Sequence, residues 1–416
     1  MSKGKPLSKF IIGLLLAILV CVSAALYIAF QSVDNPLPPP KPAVSTSESE
    51  ASYFKIDDID PFGHYSVTNA KDGTIYAGYI AGGKIRVAFF NGQKWSFLNV
   101  PGAGPFDPES SLAQPSIAVS PTGVLHIFSF DEKDKRLRHN IFANSEWTSE
   151  IIDGAKADDY GAESIAAKFD ARGRLLVCYV DFKHNVLKLH TKESEDSKWQ
   201  VKDLQCGSGR LYNCVNMEFN KAGNAVLSFA DNSVYLGKVD GAWKYSLVAK
   251  VTDVDGGWPV LAIDSQDNPA IAYMTGAPDW NLMLARYTNG KWLESRINRK
   301  NEVVYSQYTI AAGDDGKVYV AYIGSVSDSF VLAAFDQATS SYTEFPGIHS
   351  SNSYTEIQQP SLTRGKDGKI HLLFSRKRLD QNTQEDNDKL GLFDAVLEEM
   401  PASSTISDKP QPTIWN

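Results

Sequence analysis

Beyond its first ten residues the sequence has no basic stretch, and the chain carries 41 Lys and Arg against 49 Asp and Glu, a formal net charge of −8. No run of cations can then neutralise successive phosphates, which excludes nucleic acid as a partner. Histidine is scarce, with 7 in 416 residues. His184 and His190 read as members of one strand, where ~3.3 Å per residue holds them roughly 20 Å apart, too far to share an ion. Asp253-Val254-Asp255-Gly256 has the look of a calcium loop but lacks the continuation that about 6–8 oxygen ligands require. A turn between repeats is the simpler reading, so no metal and no cofactor are expected. No nucleophile with a partnered base stands out either. Cysteine is also rare, at 4. Cys206 and Cys214 are a candidate disulfide, which in an exported domain would contribute ~2.5 kcal/mol on the chain-entropy account; two free thiols are the alternative. Cys178, beside Tyr179, reads as a buried thiol.

What is present begins at the N-terminus. Phe10 to Phe30 is apolar and uncharged, preceded by Lys3, Lys5 and Lys9. At ~1.5 Å per residue this segment spans the ~30 Å hydrocarbon core. The lysines place residues 1–9 in the cytoplasm and the rest of the chain outside. The expectation is a single-pass cell-membrane protein with a periplasmic or extracellular domain; a cleaved signal peptide, which would give a secreted domain, is the competing reading. Residues 31–51, with Asn35-Pro-Leu-Pro-Pro-Pro-Lys-Pro42 and a Ser/Thr/Glu stretch, read as an extended linker. Residues 401–416 read as a disordered tail.

Between these lies a repeat of roughly 50 residues, the length of a four-stranded propeller blade. Seven turns mark it: Asp72-Gly73, Thr122-Gly123, Arg172-Gly173, Ala222-Gly223, Asp267-Asn268, Asp315-Gly316 and Asp367-Gly368. Each precedes an apolar strand closed by an aromatic, from Tyr79 in the first to Phe374 in the last. Five of the 8 tryptophans, Trp95, Trp147, Trp199, Trp243 and Trp292, recur at one later position. A ring at a fixed repeat position reads as packing between blades. The seventh unit lacks its last strand, and Tyr53 to Asp58 resembles Trp147 to Ile152. The fold expected for residues 52–400 is therefore an all-β, seven-bladed propeller, closed when the N-terminal strand completes the last blade.

The stretches Asn91-Gly-Gln-Lys-Trp95, Asp240-Gly-Ala-Trp243 and Asn289-Gly-Lys-Trp292 resemble degenerate Asp-boxes of sialidase-type bacterial neuraminidase repeats. That resemblance implies the propeller architecture. It also implies an arginine triad, a Tyr/Glu nucleophile pair and an aspartic acid/base. The triad finds no match among Arg136, Arg138, Arg172, Arg210, Arg286 and Arg376, so sialidase activity is not expected.

Nine residues before the turn glycine fall His64, Gln114, Ser164, Gln307 and Gln359, each where an innermost strand begins. Inner strands converge on the central channel, so these residues should ring its mouth. Tyr160, Glu163, Trp258 and acidic residues including Asp57 lie on adjacent segments. Convergent polar and aromatic groups at a rim suit a ligand site; bonding to channel water and loop backbone is the plainer alternative. The functional expectation is a binding or scaffold module for a protein, peptide or glycan. The alternative is a carbohydrate-active protein, lectin or glycoside hydrolase, with Glu163 and Asp159 as its first carboxylate pair to test.

Overall fold

The structure is a computed structural model. It describes residues 53–397 except 58–60, 103–114, 131–135, 154–163, 208, 213, 252–256, 277–278, 299–303, 314–315, 325–328, 336–339, 350–354, 366, 368 and 379–390. The Phe10–Phe30 segment, the linker and the tail lie outside the described residues, among which no helix is long and apolar enough to cross a membrane.

Among the described residues, 28 strands form seven four-stranded antiparallel sheets. Blades 1 to 6 are continuous in sequence: 61–99, 116–153, 165–205, 215–250, 257–296 and 304–349. Blade 7 combines 355–364, 370–378 and 391–397 with the N-terminal strand Tyr53–Asp57 as its outermost member.

The first hairpin has one design in blades 1 to 6. In blade 1 the N–H of Gly73 donates to the Ala70 carbonyl and that of Ala70 to Thr74, both at 2.9 Å. The same pair of bonds recurs from Ser120, Asp170, Asn220, Asp264 and Gly313. Such a type I turn ends on a residue in the left-handed region, where glycine lacks the Cβ penalty. Gly73, Gly123, Gly173, Gly223 and Gly316 take it with φ of 77–88°, and Asp267 takes it at 73°. The hairpin turns lie on one face of the ring. The segments that enter the innermost strands lie on the other, the mouth face.

Packing follows the repeat. Each of the seven blade–blade junctions holds its own apolar cluster among the described residues. The five repeat tryptophans pack into five successive junctions, each against the preceding blade. Trp243 lies so close over Gly237 that a Cβ there would meet its ring at 1.9 Å. Gly237→Ala should therefore cost about 1–3 kcal/mol by overpacking, read as a lowered Tm with the fold retained.

The ring closes as the sequence implies. Tyr53 pairs with Ala395, Lys55 with Phe393 and Asp57 with Leu392. In blade 2 the outermost strand pairs Asp153 with Leu137 and Trp147 with Phe142, so Tyr53 sits two positions inward of the tryptophan slot. Asp57, expected among the mouth carboxylates, is instead buried at the seam. Nη1 of Arg86 in blade 1 donates to both its oxygens, at 3.0 and 2.7 Å, and the Tyr79 hydroxyl donates to Oδ2. Blade 2 and blade 3 repeat the clamp: Asp153 accepts from the Tyr179 hydroxyl and, at 3.3 Å, from Lys188. An acid ending one outer strand thus holds a tyrosine and a cation of the next blade.

Candidate functional site

The inner strands enclose a channel of about 650 Å³. Its wall is stitched by serines that hold neighbouring inner strands at a fixed separation. The Ile117 N–H donates to Ser66 Oγ at 3.2 Å and the Ala167 N–H to Ser116 Oγ at 3.1 Å. Lower in the channel, Lys168 pairs with Glu218 of the next blade.

Ser164 belongs to this stitching. Its hydroxyl accepts from the Val215 N–H and donates to the Val215 carbonyl, both at 3.3 Å. Those backbone bonds favour the structural reading of that position. His64, Gln307 and Gln359 lie in inner strands Pro61–Asn69, Val304–Ala312 and Thr355–Arg364. Gln114, Tyr160 and Glu163 fall outside the described residues, as do Asp159 and Asp253.

A feature of the mouth that periodicity does not reveal is a shared irregularity. The inner strands of blades 1, 5, 6 and 7 break register at their mouth ends, between Phe62 and Ser66, Gly257 and Val260, Val304 and Tyr308, and Gln358 and Ser361. His64, Trp258, Gln307 and Gln359 each fall inside such a break. Bulges of this kind re-aim side chains and terminate pairing beside binding sites.

Trp258 projects from the break in blade 5. It is 41% exposed, yet its backbone is held at φ 30° within Gly257-Trp258-Pro259. A bulky residue in that region carries roughly 1–3 kcal/mol of strain and persists only where its surroundings impose it. The constraint is visible: Tyr308 of blade 6, buried, donates its hydroxyl to the Trp258 carbonyl at 2.5 Å. Burial also holds the Tyr308 hydroxyl well above its usual pKa, so it stays a donor. A second tryptophan of blade 5, Trp280, has φ 44° and packs against the cluster between blades 5 and 6. Both left-handed tryptophans thus flank one junction on the mouth face. The sequence offered a signal for Trp258, since counting nine back from Asp267 lands on it, and none for Trp280 or Tyr308.

Other candidates resolve differently. Cys206 and Cys214 are not joined: both are buried free thiols, as is Cys178. Cys206 turns toward the Leu204 carbonyl, 3.2 Å away, within the cluster that also holds Cys178. Burial pushes the Cys206 and Cys214 thiols up to about 12. His184 and His190 do not share a strand. His184 lies in the turn before Val186–Lys192 and contacts Asp181 at 2.9 Å, while His190 is buried inside that strand. His126 and His371 are buried between blades: His126 meets Phe169 and His371 meets Phe90 of the following blades.

No family model matches the sequence, and no curated protein matches it. Solved structures do. Polysaccharide lyase Uly1 superposes with a TM-score of 0.55 at 11% identity, covering 83% of this chain and 98% of its own. An ulvan lyase bound to -[GlcA(1-4)Rha3S]- gives 0.55 at 13% identity, covering 83% of this chain and 96% of its own. AofleA from Arthrobotrys oligospora aligns over 70% of this chain and 88% of its own at 12% identity, with a TM-score of 0.47. At these identities the likeness establishes the fold alone. The Asn-Gly and Asp-Gly turns before Trp95, Trp243 and Trp292 do lie between third and fourth strands, where the sialidase-type resemblance puts them. With no family model behind it, that resemblance is one of architecture. The chain is a seven-bladed β-propeller whose mouth face presents a constrained, exposed tryptophan.

Proposed function

We propose that this chain is a carbohydrate-binding propeller, held outside the cytoplasm by a Phe10–Phe30 membrane helix, with its ligand seated on the channel mouth beside Trp258. The observation that carries this reading is Trp258 itself, a half-exposed indole fixed at positive φ by the Tyr308 hydroxyl. A rigid indole offers a flat apolar surface to the C–H face of a pyranose at little entropic cost, while polar groups around the rim take the hydroxyls. Gln307, Gln359 and His64 share the bulged positions and are the residues proposed for that polar role. The occurrence of polysaccharide lyases on the same fold is consistent with a glycan ligand.

The test is a glycan array probed with the purified full-length chain, then titration of the best saccharide. Trp258→Ala should weaken binding by at least about 2 kcal/mol, the scale of a buried aromatic anchor, and leave the melting temperature unchanged or raised. Unaltered affinity in that variant, or an array with no bound saccharide, would remove the reading. Shortening of a bound polysaccharide during incubation would instead favour catalysis. The membrane helix is tested separately: the chain should stay with membranes through alkaline carbonate washing, and lose that property when residues 10–30 are deleted.

A further inference from the structure

A second cavity, of about 400 Å³, lies on the opposite, hairpin-turn face, in the junction between blades 4 and 5. Its volume is within the ~300–1,000 Å³ of small-molecule pockets. It is lined by two walls of different chemistry. On the blade 4 side stand Lys238 and Lys244, directly paired across neighbouring strands and so pointing the same way. On the blade 5 side stand Tyr287 and Trp292, also a cross-strand pair, with ring centroids 5.3 Å apart. Asp267 and Asn268, from the hairpin turn, line the cavity as well.

Two features point to an occupant. Like charges set directly opposite on adjacent strands repel one another, and among the described residues neither lysine has an ion-pair partner. Asp267 is the cavity's one carboxylate, and it accepts the Lys221 N–H at 2.8 Å. The lining therefore carries two cations and one anion, a net positive charge on a chain of net charge −8. Facing the cations, Tyr287 is 37% exposed, an aromatic surface left open at the lip of the cavity.

We infer that this cavity binds an anionic sugar residue, its carboxylate or sulfate between Lys238 and Lys244 and its ring against Tyr287 and Trp292. A charge-assisted bond from each ammonium would relieve the repulsion between them. Asp267 and Asn268 face the same space and can take the sugar hydroxyls. The cavity shares Ile263 with the channel wall but none of the mouth residues His64, Trp258, Gln307 and Gln359, so the two sites can fail independently.

The experiment is isothermal titration of the full-length chain with three probes: a glucuronate-containing hyaluronan oligosaccharide, a sulfated galactan oligosaccharide and a neutral galactan oligosaccharide. Binding of either anionic probe, weakened roughly tenfold or more by the double variant Lys238→Ala/Lys244→Ala, is the expected result; which probe binds tells carboxylate from sulfate. Lys238→Arg/Lys244→Arg should keep most of the affinity, and Tyr287→Ala should lose part of it. Both lysines are exposed, so folding survives their replacement. Trp258→Ala should leave this binding intact, which separates it from the mouth site. The inference is overturned if the neutral probe binds as tightly as the anionic ones. It is equally overturned if anionic binding is indifferent to the lysines, or if Tyr287→Ala leaves it untouched, as diffuse charge attraction would.

Discussion

Replacing Gly391 with alanine should open the ring. Gly391 begins the third strand of blade 7 with φ 126°, and a Cβ there would stand 2.0 Å from the carbonyl oxygen of Asp57. That obstacle is backbone, so it cannot rotate away. Relief requires the Tyr53–Asp57 strand to move off blade 7. Losing it exposes the edge of Gly391–Leu397 and detaches Asp57 from Arg86 and Tyr79. The expected cost is at least about 4 kcal/mol, in the range that marks a named structural failure, or roughly 5 °C or more in Tm for a domain of this size. Asp57→Ala tests the clamp without the clash. It strips a buried carboxylate from a partly exposed arginine and should cost about 3 kcal/mol. Deleting residues 52–59 should match Gly391→Ala, while deleting 402–416 should leave the melt unchanged. Equal, small effects of the two deletions would mean that blade 7 stands without the N-terminal strand.

The second large effect is on acid stability. Between blades 2 and 3 a chain of polar groups runs from the buried His126 through the buried His139 to the partly exposed Glu150. The ring nitrogens of the two histidines lie 2.9 Å apart, and His139 Nδ1 is 2.9 Å from Glu150 Oε1, which also accepts the Trp199 indole N–H at 3.0 Å. Phe128 stacks on His139 with centroids 4.4 Å apart, leaving no room for water on that side. Desolvation is the main cause that drives His126 down to about 3, helped by the neighbouring His139. Burial lowers His139 too, against the opposing pull of Glu150.

The sign follows from linkage. A histidine whose folded pKa is depressed stays neutral in the fold and takes a proton when unfolded, so stability is full above the unfolded value of about 6.5 and falls as pH drops toward the folded one. Glu150, drawn down to about 2 chiefly by its bond to His139, adds a loss in the same direction below the ordinary carboxylate range. His371 runs the other way. Asp394 at 2.7 Å and Asp367 at 3.2 Å raise it despite burial, so its contribution is present below pH 6.5 and fades as pH rises through its folded pKa. Two depressed histidines and a carboxylate outweigh the opposing pair, the raised His371 and the Asp394 that burial pushes up. Stability measured by urea unfolding should fall by a few kcal/mol between about pH 6.5 and pH 4, an order-of-magnitude figure from ~1.4 kcal/mol per pKa unit. His126→Phe should flatten that slope. A slope unchanged in the variant would place the acid-sensitive group elsewhere.

The architecture was open to reading because a propeller writes its period into the sequence. Asp72-Gly73 and its counterparts need a left-handed residue once per blade, and the tryptophans need one slot per junction. The missing last strand of unit seven and the surplus strand at Tyr53 together announced the seam. What stayed hidden depends on contacts between blades. Nothing along the chain couples His126 to Glu150, or Asp57 to Arg86, because those partners meet only when sheets stack. A signal for the clamp did exist in Asp57 and Asp153, each ending an outermost strand, with Arg86 and Lys188 at matching third-strand positions. The mouth was legible as a set of positions but not as a surface. The ninth position before the turn glycine marked Ser164, which the fold commits to backbone bonds, while Trp258, read only as a residue of an adjacent segment, is the one it leaves exposed. Positive φ at Trp258 and Trp280 has no sequence signature, since tryptophan carries no preference for that region. The disulfide reading of Cys206 and Cys214 failed for a similar reason: closeness in sequence does not set which way two side chains turn.

Hydrogen–deuterium exchange of the full-length chain, with and without the best-binding neutral saccharide, tests the central claim most directly. Bound sugar should slow exchange at the mouth ends of the inner strands, above all at 257–260 and 304–308, and leave the hairpin turns at 70–74 and 120–124 unchanged. Saturation without protection at 257–260 would contradict a carbohydrate site beside Trp258.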